Sequence, residues 1–143
     1  MRATSIATSS AAGVLAAIAG LHVSWGLGSS FPLRSRESLF ENVAGGGGNA
    51  PGPLACFAVA GCLATAATTV AGYPRSLPRA RRGAAITTSA ALGGRAALGF
   101  SGRSYLVAPG QRVSETFTRQ DRRVYSPMCL ALAIAAVPAW ASA

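Results

Sequence analysis

The side chains that could ligate a metal, carry a thiolate or move a proton are few. The chain has 143 residues with one histidine, His22, three cysteines, Cys56, Cys62 and Cys129, and four acids, Glu37, Glu41, Glu115 and Asp121. Their spacing excludes the familiar machinery. There is no CxxC or HExxH and no carboxylate pair inside an apolar run, so hydrolase and metalloprotease chemistry of the usual kinds is absent. The glycines from Gly45 to Gly48 lack the following Lys-Ser/Thr of a phosphate-cradling loop and read as a linker. What remains is register. His22 stands six residues before Gly28, where the first apolar run ends, while Cys56 and Cys129 lie three and two residues after Pro53 and Pro127. At a rise of 1.5 Å per residue, all three lie within about 10 Å of one membrane face. Two thiolates and an imidazole would make a soft three-ligand metal site. In an oxidising compartment Cys56 and Cys129 would be disulfide partners instead, given Cα atoms within about 7 Å. The plainer reading makes both of them small apolar packing residues. No cofactor is specified.

His22 and Trp25 are three apart and share a helix face. A histidine in an apolar run is either a functional group or a neutral ring hydrogen-bonded to a neighbouring helix. Trp25, near the end of the run, reads as an interfacial anchor. Arg95 interrupts a run that otherwise carries no charge. It lies about 10 Å from the nearer end of that run, within snorkelling reach, with Glu115 or Asp121 as its partner. The stretch from Phe117 to Leu130 packs charges and aromatics together. It is either a solvated loop that anchors the last helix or a lid over the site at the first. Its arginines, Arg119, Arg122 and Arg123, suit anionic lipid headgroups. The ligand-binding candidates are therefore His22, Trp25, Arg95, Arg119 and Tyr125.

The elements that must position these residues are apolar runs. Half of the residues are hydrophobic and 12% are charged, against about 25% charged in soluble domains. Spanning helices are expected near 6–28, 53–72, 83–102 and 127–143, each close to the length that crosses the hydrocarbon core. Pro53 suits a first helical turn, and Ser126-Pro127 reads as an N-cap followed by the first residue of the last helix. Small residues spaced by four, Gly20, Ser24 and Gly28, and again Ala58, Cys62 and Ala66, allow close helix packing. Ala17-Ile18-Ala19 offers a signal-peptide cleavage site, but the apolar run continues past it to Trp25, so the first helix is expected to be retained. The 13 basic residues behind the net charge of +9 are all arginine. These arginines sit between apolar runs rather than on one soluble face, which argues for lipid headgroups and against nucleic acid. Their number favours the first and third loops inside. The dense, acid-free second loop favours itself inside, and the termini and second loop are read as cytoplasmic.

The pattern His22-x-x-Trp25-x-x-Gly28, with Tyr125-Ser126-Pro127-Met128-Cys129-Leu130, resembles a group of small bacterial integral membrane proteins known as domain-of-unknown-function family 3995. In that family a histidine and a tryptophan end the first helix, and a Tyr-Ser-Pro-Leu-Cys-Leu stretch opens the last. Met128 departs from the pattern. The resemblance covers about Ile6 to Ala136 and implies a four-helix membrane protein, with no catalytic residues to carry over.

The expectation is one all-α domain over residues 1–143, a four-helix transmembrane bundle in the cell membrane. It would bind a lipid, a small apolar ligand or a partner protein between its helices. The competing readings are a redox- or metal-dependent membrane enzyme using His22, Cys56 and Cys129, and a small transporter or transporter subunit. A transporter usually shows an internal repeat, and none is visible here.

Overall fold

The structure is a computed structural model that describes residues 2–46, 51–107 and 113–141. Gly47, Gly48 and the last two residues, which entered the readings above, lie outside the described residues. Among those described there is no strand, and the elements are helical throughout.

Four long helices form the bundle: α1 (Arg2–Gly26), α3 (Pro53–Val70), α4 (Pro78–Phe100) and α6 (Ser126–Ala141). Two short helices, α2 (Arg36–Leu39) and α5 (Glu115–Gln120), lie in the connections. The ends follow from local chemistry. Pro53 and Pro78 occupy first turns, where a missing N–H costs nothing. The helices α1, α3 and α4 each stop at a glycine with positive φ: Gly28, Gly72 and Gly102. At each of these ends the next residue's N–H reaches back to the carbonyl five residues earlier, Ser29 to Ser24, Tyr73 to Thr68 and Arg103 to Leu98. That left-handed cap satisfies carbonyls that would otherwise be orphaned.

Two long pairs dominate the packing, α1 against α3 and α4 against α6, and α1 also packs on α6. The core they share is alanine-rich and tight, built from Ala11, Leu15, Ala67, Val70, Leu132 and Ala136. Larger apolar side chains such as Ile6, Leu54, Leu130 and Ile134 point outward and are exposed. Such a bundle is apolar on its outside as well as its inside, as a bilayer solvent allows. Gly26 lets α1 approach α3, because a Cβ there would lie 2.8 Å from the Phe57 ring.

Two expectations need correction. The last helix does not begin at Ser126. It runs without a break from Glu115 through a π-helical turn, Asp121–Tyr125, into α6. Ser126 donates its backbone N–H to the Asp121 carbonyl five residues back, so it continues a helix rather than capping one. The wide turn also absorbs the missing N–H of Pro127, which a regular α-helix would feel. Likewise α4 starts at Pro78, five residues earlier than expected, and takes Arg79, Arg81 and Arg82 into its first turns.

Among the described residues, three stretches are long and apolar enough to cross a membrane: Ser5–Gly26, Pro53–Val70 and Glu115–Ala141. The fourth, α4, has the length at 23 residues. Its arginines keep it below the same standard of apolarity.

Candidate functional site

The first and third connections meet at one end of the bundle and form a cap. Ser35 caps α2, its hydroxyl accepting from the Ser38 N–H, and Ser114 caps α5 by accepting from the Phe117 N–H, both at 3.1 Å. A second π-helical turn, Phe40–Ala44, follows α2 and ends at Gly45. The two segments are stitched together across the cap. The Ser114 N–H donates to the Gly45 carbonyl at 2.9 Å, and the Gln120 amide donates to Asn42 Oδ1 at 2.9 Å. The Tyr125 hydroxyl donates to the Asn42 carbonyl at 3.1 Å. Phe117 is buried beneath them.

A buried charge pair ties the cap to the bundle. Arg95 meets Asp121 in a bidentate pair, with Nη2 to Oδ1 at 2.9 Å and Nη1 to Oδ2 at 3.2 Å. Asp121 has no exposed surface. It also accepts from the Ser126 hydroxyl at 3.2 Å and from the Ser104 hydroxyl. Two fully used oxygens are what a buried carboxylate requires. The room comes from Gly99, where any Cβ would run into Ser126 Oγ and crowd Arg95 and Asp121. Arg95 thus faces the bundle and cap, with Asp121 rather than Glu115 as its partner.

Under the cap, between α1, α3 and α4, lies a cavity of about 490 Å³. Its apolar walls include Leu39, Phe40, Val59 and Phe117, and its polar ones include His22, Arg36 and Arg95. His22 Nδ1 lies 2.9 Å from the Ile18 carbonyl. A carbonyl only accepts, so Nδ1 carries a hydrogen, and in a neutral ring Nε2 is left as an acceptor. The His22 and Trp25 rings stack at a tilt, with centroids 4.7 Å apart. Trp25 also donates its indole N–H to the Phe31 carbonyl at 2.6 Å, which pins the chain as it leaves α1. Among the described residues the one ion pair is Arg95 with Asp121. Arg36, exposed at the edge of the cavity, makes no such pair.

A family profile described as "protein of unknown function (DUF3995)" matches residues 15–136. The chain belongs to the DUF3995 family. No curated protein and no solved structure matches it.

In this DUF3995 protein the expected site residues separate into three groups. His22, Trp25 and Arg95 share the cavity wall, together with Cys56. Tyr125 holds the cap closed from outside the cavity lining. Arg119 stands on the outer face of α5, beside Arg122 and Arg123 in a shallow depression. The cysteines are free, with Cys56 buried, Cys129 half-buried and Cys62 exposed. Among the described residues no three His, Cys, Asp or Glu side chains group closely enough to hold a metal. Cys56 joins His22 at the cavity, and Cys129 does not line it. Sequence reasoning passed over Arg36 and Asn42, and read Phe117 only as part of the charged, aromatic stretch before the last helix. The one local signal was the serine at position 35, a good N-cap before a short helix.

Proposed function

We propose that this DUF3995 protein is a multi-pass membrane protein that crosses the bilayer with all four long helices. In this reading its capped cavity holds the anionic head of a bilayer amphiphile. The observation that carries the reading is the cavity itself: apolar walls of ligand-site size lined also by His22 and by Arg36, which makes no ion pair. Arg95 supports the crossing of α4. Paired with Asp121, it is no longer a bare charge in an apolar helix. The remaining arginines of α4 sit in its first turns, at headgroup depth.

Two measurements test this. Protein extracted gently from membranes and examined by native mass spectrometry should retain an anionic lipid in fixed stoichiometry, and Arg36→Leu should lose it. Protein that carries no amphiphile, or equal retention by Arg36→Leu, refutes the binding reading. Single cysteines at Glu41 and Glu115 should label from the same side of the membrane, and one at Ser76 from the other. Labelling of Ser76 from the cap side refutes the crossing of α4.

A further inference from the structure

A second hollow, apolar and about 850 Å³, opens between α3 and α4 below the cap. Val59 lines both hollows. The walls are continuous as well. On α3, Ala55 and Val59 face the cavity, and Val59, Cys62 and Ala66 face the groove, steps of four, three and four that keep to one helix face. On α4, Arg95 faces the cavity, and Ala91, Thr88 and Ala84 follow down the groove at the same spacings. Each stripe covers twelve residues, or about 16 Å from end to end at 1.5 Å per residue. The hydrocarbon of one leaflet is about 15 Å deep, half of a core of about 30 Å.

We infer that the groove between α3 and α4 seats an acyl chain of the same anionic lipid whose head occupies the capped cavity, the chain passing Val59 from one to the other. The inference rests on the cavity reading above. What it adds is the occupant, a bilayer lipid rather than a small soluble anion, and the route by which that lipid enters, sideways from one leaflet. Charge selects the head through Arg36. Shape selects the chain, since the groove is apolar and, together with the cavity, about as long as one leaflet is deep. Chain burial there brings little gain of its own, because the chain leaves one apolar medium for another. Selectivity for the occupied groove must therefore follow the head.

The experiment uses the full chain in nanodiscs of phosphatidylcholine. These are doped with phosphatidylglycerol carrying a mid-chain diazirine, or with phosphatidylcholine carrying the same group at the same fraction. After photolysis, adducts are mapped by peptide mass spectrometry. Head occupancy is read separately, from the emission of Trp25 in a Trp140→Phe variant titrated with unmodified phosphatidylglycerol. The expected result is a saturable Trp25 response, with phosphatidylglycerol adducts several-fold enriched on residues 58–66 and 84–92 over the outer face of α6. Phosphatidylcholine adducts should be spread evenly, and Arg36→Leu should bring the phosphatidylglycerol pattern to that of phosphatidylcholine. A Trp25 response with evenly spread adducts overturns the chain path and leaves the cavity reading standing. No Trp25 response together with even adducts overturns both. Enriched groove adducts without a Trp25 response overturn the continuity between groove and cavity.

Discussion

Replacing Asp121 by asparagine tests the bundle at the point where its cap and helices are joined. The substitution keeps the side chain's shape but removes its charge and turns one acceptor oxygen into a donor. Asp121 is fully buried and takes both guanidinium nitrogens of Arg95, at 2.9 and 3.2 Å, as well as two serine hydroxyls. Removing one partner of a buried pair costs about 3–5 kcal/mol. The Arg95 side chain keeps 25% of its surface exposed, which places the expected loss near the lower end, about 3 kcal/mol. For a chain of this size that corresponds to a fall in Tm of roughly 6–12 °C. The assay is thermal loss of the monodisperse peak in detergent, scored by size-exclusion chromatography. Arg95→Met should be comparably damaging, because it strands the carboxylate. The double variant Arg95→Met with Asp121→Leu should be milder than either single change, since no buried charge remains. An Asp121→Asn protein that melts within roughly 2 °C of wild type, or a double variant whose loss equals the sum of the singles, would refute the reasoning.

The two close-approach glycines should differ in cost. Gly99→Ala drives a methyl into the Ser126–Asp121–Arg95 cluster and should cost about 1–3 kcal/mol. Gly26→Ala meets only the half-exposed Phe57 ring, which can swing aside, and should cost less; thermal melts in one detergent rank the pair. Tyr125→Phe removes the hydrogen bond to the Asn42 carbonyl and should cost about 0.5–1.5 kcal/mol. Its signature is faster hydrogen exchange in residues 36–45, while the rate in α1 is unchanged. Because the three cysteines are free and unequally covered, a maleimide in mild detergent should modify Cys62 first and Cys56 last. Electrophoretic mobility should be the same with and without reductant.

Much of the bundle could be read from the sequence because long apolar helices announce themselves locally. The glycines at 28, 72 and 102 marked the ends of three helices, and each proved to carry the left-handed cap that only such a residue takes without strain. Arg95 stood out as a charge inside an apolar run, and the short choice of available acids brought Asp121 into view. The last helix misled for a physical reason. Ser-Pro is a sound start signal, and nothing in a hydrophobic period reveals a π-helical turn that makes the start unnecessary. Arg36 was invisible for another. It is one loop arginine among several, and its role comes only from the folding of residues 27–46 over the end of α1. The expected meeting of His22, Cys56 and Cys129 used depth alone. Depth fixes how far a residue lies along its helix, not which way it faces, and it placed Cys56 on the cavity wall but not Cys129.

The π-helical turn at Asp121–Tyr125 acts as a phase shifter in the long helix from Glu115 to Ala141. Successive α-helical residues are about 100° apart, so positions five apart point about 140° away from each other. Asp121 and Ser126 are five apart and nevertheless bond side chain to side chain, which a regular helix would not permit. The extra residue rotates the charged cap segment relative to the apolar rod that follows, so both present their working faces to α4 at once. The spacing between the acid and the serine is therefore a timing element of the fold. Deleting one residue from 122–125 would restore an ordinary helical register, short of the one bond that Pro127 cannot donate, and aim the carboxylate away from Arg95.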